Sequence, residues 1–520
     1  MKKNKKLTAL SLALLIIYAV AVGSFGTVSA ESIFAPSGTS STDEICVIFR
    51  TYPPVDFSDS QKVSQYFGLE VLEAKATYTS ANNDASRSGH NLINTEYDTA
   101  CVVTLKLSSA SKSDMNAALS TLRSRSDVLV AVENISFAVA DKAYSYVELQ
   151  NTNATRATNW NRTAIGLGVA ASKSFASADD VTIAVLSTGC DDDFDLEENV
   201  VWGLAYNVYQ NNSNVIDTNG LGTGNTLLLA ADYNDGYGIN GLLEAASVIP
   251  IKITIGEGWM SDSSTIAGGV LYAIQCGADI IDFGFDLPSY YLADNDLIQA
   301  FNAYAGLFVT NAGAADDGNG VLIGNSQYDD GKVNTRTNWI VVGMSGENDV
   351  IPASANYSGV YVDLFAPAYE ISISEEDGGV RDFGIDSTYA SVHMTAACAL
   401  LMQKATHKTN LQIKQLLMNN VDSVSAMSSK CVSGGRLDVG NAADALFDEV
   451  RPAYSLGDVD GNGYINEYDY IFCTRIYMGT LTPTQQQLNA ADVDQDGNVS
   501  IYDCGYIERY YYETLYFAPY

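Results

Sequence analysis

Hydrophobic and polar positions follow three different rhythms along this chain. Between residues 45 and 132, short apolar runs at 45–50, 99–107 and 128–132 predict strands. Stretches at 58–67 and 111–124, with apolar residues three and four apart, predict helices. Strand–helix–strand–helix–strand, with a long polar insertion at about 79–96, predicts a ferredoxin-like α+β domain over 44–140.

From 159 to 448 the apolar runs become continuous. They predict buried strands at 181–186, 246–253, 280–283, 307–310 and 339–342, and helices at 266–275 and 297–304. Strands apolar on both faces and alternating with helices form a parallel sheet covered on both sides. Ligands of such α/β domains sit at the carboxyl ends of the strands. A strand-like run at 371–374 and a second extended run lead into an apolar helix at 396–402, with Asp386-Ser387-Thr388 at its mouth. A hydroxyl there either caps the helix or is a nucleophile whose oxyanion the helix N-terminus stabilises.

The third rhythm, polar and short, begins at 453 and repeats itself. Asp458-Val459-Asp460-Gly461-Asn462-Gly463-Tyr464-Ile465-Asn466-Glu467-Tyr468-Asp469 recurs 34 residues later as Asp492-Val493-Asp494-Gln495-Asp496-Gly497-Asn498-Val499-Ser500-Ile501-Tyr502-Asp503. Oxygen donors at loop positions 1, 3, 5, 9 and 12, with glycine at 6, suit calcium. The predicted ligands are Asp458, Asp460, Asn462, Asn466 and Asp469, then Asp492, Asp494, Asp496, Ser500 and Asp503, with backbone carbonyls of Tyr464 and Asn498. Each loop reads as followed by one helix and preceded by none.

Composition narrows the picture. With 62 acidic against 28 basic residues the net charge is −34, which excludes the basic face that nucleic acids require. Lys2, Lys3, Lys5 and Lys6, an apolar run over 7–22 and Val28-Ser29-Ala30 predict a signal peptide at 1–30 and an exported protein. No other stretch approaches membrane-spanning length. Residues 31–43 and 141–158 read as linkers. None of the eight cysteines sits in a CxxC pair, so zinc is not expected. Cys46 and Cys101, on two strands of one domain, are either a disulfide or buried thiols, and the same alternatives stand for Cys473 and Cys504.

Ala184-Val185-Leu186-Ser187-Thr188-Gly189, Asn219-Gly220-Leu221-Gly222-Thr223-Gly224 and Asp386-Ser387-Thr388-Tyr389-Ala390 stand in the order of the three signature blocks of the subtilisin-like serine proteases. Asn356-Tyr357-Ser358 and Gly434-Gly435-Arg436-Leu437-Asp438 add to the match. The domain at 159–448 resembles that family, and the N-terminal domain resembles its inhibitor-like propeptide. The family needs an Asp to orient a His, the His to deprotonate a Ser, and an Asn at the oxyanion. The matching positions here hold Ser187, Leu221, Thr388 and Ala314, so the resemblance implies the fold with no intact catalytic residue, a pseudoprotease. Loss of a triad member costs on the order of 10⁴- to 10⁶-fold in turnover, a magnitude measured in subtilisin.

The chain's imidazoles are His90, His393 and His407. His393 matches a structural position and points to a different helix face from Thr388. Asp286 stands where the family has a glycine that lets a substrate backbone approach, so protease-like peptide binding is expected to be impaired. Asp282, Asp286 and Asp386 either converge on the cleft for another ligand, such as a peptide or protein, or are solvated carboxylates. A dead triad cannot cut its own propeptide, so residues 31–140 are expected to stay attached over the cleft.

The calcium repeat at 453–516 resembles a type I-like dockerin, which docks secreted proteins onto cohesins of a cellulosome scaffold. The resemblance implies two Ca²⁺ ions, an extracellular or cell-surface location and cohesin contacts through Glu467, Tyr468, Ile501 and Tyr502. The two pairs differ, against a two-fold symmetric binding mode. The expected function is calcium-dependent docking of a non-catalytic subtilisin-like module; the alternative is an active serine endopeptidase with an unrecognised catalytic arrangement.

Overall fold

A computed structural model describes residues 43–79, 97, 99–109, 111–138, 159–172, 181–255, 259–287, 297, 301, 303–314, 337–376, 379–405, 408–450 (backbone alone at 447–450), 455–462, 464–494 and 496–511. The N-terminal domain contains β1 (Glu44–Phe49), α1 (Ser60–Phe67), β2 (Val71–Thr79), β3 (Cys101–Leu107), α2 (Lys112–Arg123) and β4 (Val128–Glu133). Its antiparallel sheet runs β2-β3-β1-β4. Strand β2 has no counterpart in the sequence reading. Glu73 and Lys75 interrupt its apolar pattern and its pairing with β3 shifts register twice, so an edge strand looked like loop. Asp59 caps α1, accepting from the Gln61 and Lys62 amides, and Ser111 caps α2.

This sheet buries both faces. Val47, Phe49, Cys101 and Val103 face the domain's own helices, while Cys46, Ile48, Val102 and Val130 join an apolar cluster with Ile266 and Val270 of the central domain. Cys46 and Cys101 therefore lie on opposite faces, with Cys46 opposite Thr104 and Cys101 opposite Phe49, so the disulfide alternative for them is ruled out. After β4 the chain adds β5 (Ser136–Ala138), which leans on the central domain.

The central domain contains β6 (Thr182–Ser187), α3 (Leu221–Ala230), β7 (Ser247–Lys252), β8 (Met260–Asp262), α4 (Ser263–Gln275), β9 (Ile280–Phe283), β10 (Leu307–Asn311), β11 (Trp339–Gly346), β12 (Leu364–Ser374), β13 (Val380–Ile385), α5 (Thr388–Lys404), α6 (Asn410–Asn419) and α7 (Val439–Val450). Strands β7-β6-β9-β10-β11-β12 lie side by side and parallel, flanked by short strands; β13 folds back antiparallel on β12. The predicted strands are all present. Of the helix expected at 297–304, residues 298–300 and 302 lie outside the described residues. The one expected at 396–402 is the middle of α5, which is buried on nearly every side and so reads as uniformly apolar rather than amphipathic.

Strand β5 pairs antiparallel with β8, Phe137 opposite Ser261, and the Phe137 ring stacks on Phe285 at 6.3 Å between centroids. Asn134 Oδ1 accepts from the Ser264 amide in the first turn of α4. The C-terminal module holds α8 (Glu467–Tyr477), α9 (Gln485–Ala491) and α10 (Ile501–Tyr511) around Val459, Cys473, Ala491, Cys504 and Ile507. Helix α9, which Thr484 caps, precedes the second loop, contrary to the expectation of no preceding helix; its Gln-rich sequence carries too few apolar residues to mark a face. No described helix is long and apolar enough to cross a membrane.

Candidate functional site

The turn from β13 into α5 is built by Asp386. Its Oδ1 accepts from the Thr388 amide at 2.9 Å and from the Thr388 hydroxyl at 2.7 Å, doing the work of a helix cap. Ser387 occupies the cap position without a side-chain bond to the helix, and its hydroxyl donates instead to Asp286 Oδ1 at 2.6 Å. Neither hydroxyl caps α5; a carboxylate does so, and the capping alternative for Ser387 or Thr388 is corrected accordingly. Burial pushes the Asp386 carboxyl up, against the pull of its bonds from Thr388.

Thr388 Oγ1 also lies 2.9 Å from Asn225 Oδ1, and both acceptors compete for its single proton. Asn225 Nδ2 donates to Gly284 O at 3.1 Å, the carbonyl that also accepts from Ser187 Oγ at 2.6 Å. Thr388, Asn225, Gly284 and Ser187 thus form one closed polar chain, with Ser187 and Thr388 each 1 % exposed. Leu221 starts α3, one turn before Asn225, and is buried in the cluster with Leu186, Phe283 and Phe285. Ala314 lies three residues beyond the end of β10, partly buried against the core of the central domain.

The glycines of the motif blocks are held by packing. A Cβ on Gly222 would fall 2.0 Å from Gly189 O, and one on Gly189, at φ +127°, would fall 2.2 Å from Val215 O. Asp217 shapes the loop into α3 by accepting from the Asn219, Gly220 and Thr223 amides. His393 Nε2 lies 2.9 Å from Asn161 Nδ2 and its Nδ1 2.7 Å from Tyr389 O, directed away from Thr388. Burial pulls its pKa down to about 4 and keeps it neutral. His90 and His407 lie outside the described residues.

Of the three carboxylates considered together, Asp286 and Asp386 meet at the Ser387–Thr388 hydroxyls, but Asp282 does not join them. It is fully buried on β9 beneath α5, beside Ser391 and Thr395, without a closed hydrogen bond, and burial pushes it up to about 7. Asp282 lies within β9, whereas Asp286 lies beyond its end, where strand alternation no longer sets the direction of a side chain. No local pattern signals the Asp286–Ser387 contact, which joins positions 101 residues apart.

A family model described as "Subtilase family" matches residues 178–443, more than half of the chain. The chain belongs to the subtilase family. Curated relatives of this subtilase include a thermophilic serine proteinase of Bacillus sp. (strain AK1), 28% identical over 248 residues, 47% of this chain and 57% of that protein. Another is a cell wall-associated protease of Bacillus subtilis (strain 168), 26% identical over 291 residues, 56% of this chain and 30% of that protein. The chain therefore spans about half or less of the length of these relatives. The crystal structure of fervidolysin from Fervidobacterium pennivorans, a keratinolytic enzyme related to subtilisin, covers 81% of this subtilase with 64% of its own chain at a TM-score of 0.52 and 16% identity, a likeness of fold.

A second model, "Dockerin type I domain", matches residues 456–510 of the subtilase. In its first loop, ligand atoms of Asp458, Asp460 and Asp469 lie within 4.8 Å of one another; in the second, those of Asp492, Asp494 and Asp496 do. Hard carboxylate oxygens gathered at this spacing fit Ca²⁺. Asn462 and Asn466 accept from the Tyr464 and Tyr468 amides, Asn498 donates its amide to Asp496, and Tyr464 O faces Asn466. The loops differ at position 12. Asp503 accepts from the Val493, Asp494 and Ser500 amides and from the Ser500 hydroxyl, and stands outside the three-carboxylate group of its loop. Glu467, Tyr468, Ile501 and Tyr502 are exposed, at the starts of α8 and α10.

Proposed function

We propose that this protein is a non-catalytic subtilase fold whose working contact is a calcium-dependent dockerin that binds a scaffold cohesin in an extracellular cellulosome-type complex. The observation that carries the non-catalytic reading is the closed chain Thr388–Asn225–Gly284–Ser187, with Leu221 buried in apolar surroundings beside it. A hydroxyl gives up its proton to a carboxylate only steeply uphill, and no imidazole among the described residues bridges that gap. The fold serves as a binding, inhibitory or structural module.

Asp458, Asp460, Asn462, Asn466 and Asp469 would hold one calcium ion, and Asp492, Asp494, Asp496, Ser500 and Asp503 the other, with the Tyr464 and Asn498 carbonyls. Bound calcium offsets the repulsion among these carboxylates and fixes the loops that aim Glu467, Tyr468, Ile501 and Tyr502 at the cohesin. The N-terminal domain stays covalently attached, its β5 tail paired along β8 beside Phe285. Titration calorimetry with scaffold cohesins, with and without EDTA, tests the docking claim; binding indifferent to EDTA would contradict it. Intact mass of the secreted protein tests retention of the N-terminal domain, and a mature N-terminus near Asn159 would contradict it.

The competing reading, an active serine endopeptidase with another catalytic arrangement, has one observation on its side. Ser387 Oγ lies 2.6 Å from Asp286 Oδ1, a hydroxyl–carboxylate pair at the mouth of a long helix. Against it, Ser387 is only 6 % exposed and Asp386 adds a like charge where an oxyanion would form.

A further inference from the structure

Among the described residues, one pair of cysteines has its sulfurs in contact. Cys473 Sγ on α8 and Cys504 Sγ on α10 are 3.1 Å apart, and both residues are buried, at 0 and 1 % exposure. The helices that carry them follow the first and second calcium loops, so the contact joins the two halves of the repeat. Among the described residues, Val459, Cys473, Ala491, Cys504 and Ile507 form the buried apolar cluster of this module. A core that small gives a domain little stability of its own, and small extracellular domains commonly supplement theirs with a covalent link.

We infer that Cys473 and Cys504 form a disulfide in the exported protein, a staple that holds α8 against α10 while the calcium loops are empty. The sulfurs need to close by about 1 Å to reach the bond length of about 2.05 Å. The reaction is exchange with a small-molecule disulfide outside the cell. The two Cys thiols lose two protons and two electrons, the Sγ–Sγ bond forms, the reagent's S–S bond breaks, and the protons leave on its two thiols. The chain between the two cysteines, which includes α9 and the second loop, becomes a closed loop, and that removes conformational freedom from the calcium-free state.

The other six cysteines make no such contact. Cys46 and Cys101 face opposite sides of their sheet, and Cys190 and Cys431 donate to backbone carbonyls. A selective outcome follows. The test is to denature the secreted full-length protein without reductant, alkylate it and map the peptides by mass. The expected result is one linked pair of peptides carrying Cys473 and Cys504, with alkylation of Cys46, Cys101, Cys190, Cys276, Cys398 and Cys431. Alkylation of Cys473 and Cys504 at full yield would overturn the inference, whatever the cohesin titration gives.

The consequence for calcium rests on the loop reading of the preceding section and has its own readout. Far-ultraviolet circular dichroism of the same protein, titrated with calcium before and after reduction, should show the folding midpoint of the C-terminal module rising by roughly 10-fold on reduction. An unchanged midpoint with the linked peptides present would overturn the staple's role but leave the bond and the calcium sites standing.

Discussion

The mouth of α5 and the loops before α8 and α10 are both places where a turn into a helix gathers polar side chains. They differ in what those side chains leave unsatisfied. At the mouth of α5 three hydroxyls are engaged within the protein: Thr388 with Asp386 and Asn225, Ser387 with Asp286, Ser187 with Gly284 O. In each C-terminal loop three carboxylates crowd within 4.8 Å of one another, where like charges repel. A scaffold can thus keep the backbone of a reactive site because packing demands it, as at Gly222 and Gly189, while its side chains close on one another. A binding loop keeps its charge because the ligand completes it. The first arrangement is self-sufficient and the second is not.

This contrast can be broken in several ways. The largest effect should come from calcium removal. EDTA should melt the C-terminal module and weaken cohesin binding by on the order of 10³-fold or more. Calorimetry should show the central domain's transition unmoved. A drop in both transitions would mean that the two regions are not independent.

A pH effect comes next. Asp282 is raised to about 7 in the folded protein, above the unfolded value of about 3.9. Its folded carboxyl prefers the proton, so this contribution to stability is fully present below about pH 4 and is lost as pH rises through about 7, by up to roughly 4 kcal/mol. Asp282→Asn should flatten the fall in melting temperature over that window. Asp195, also raised to about 7 by burial, should leave part of the slope in place. An identical pH profile in the variant would contradict a buried, unpaired Asp282.

Leu221→His asks whether restoring one catalytic group restores chemistry. The account expects a loss of roughly 2–3 kcal/mol in stability, because an imidazole replaces a leucine 3 % exposed in an apolar cluster, and no gain in peptide hydrolysis. Thr388→Ala is expected to have the smallest effect, about 1–2 kcal/mol from two acceptors left without their hydroxyl, as measured by denaturant unfolding.

The parts of this molecule legible in its sequence are those that local patterns dictate. Strands β6, β7, β9, β10 and β11 were legible because burial on both faces makes their residues a continuous apolar run. The C-terminal repeat was legible because its regularly placed acidic and amide residues are spaced within one loop. Edge strand β2, with Glu73 and Lys75 in its middle, and the Gln-rich α9 were not, since neither carries a full apolar face. The engagement of Ser387 with Asp286 and the separation of Cys46 from Cys101 depend on which face of a sheet a residue takes, which spacing alone leaves open. The identity of the residues at 187, 221, 314 and 388 was plain, but that Asn225 links two of those positions emerges only once α3 packs against α5.

The central claim is that no nucleophile remains at the mouth of α5. The most direct measurement is intact mass of the full chain, and of the chain cut within 141–158 so that the N-terminal domain no longer shields the site, after incubation with a fluorophosphonate. No adduct is expected on either form. A stoichiometric adduct on Ser387 or Thr388, with casein hydrolysis that disappears when that residue is changed to alanine, would contradict it.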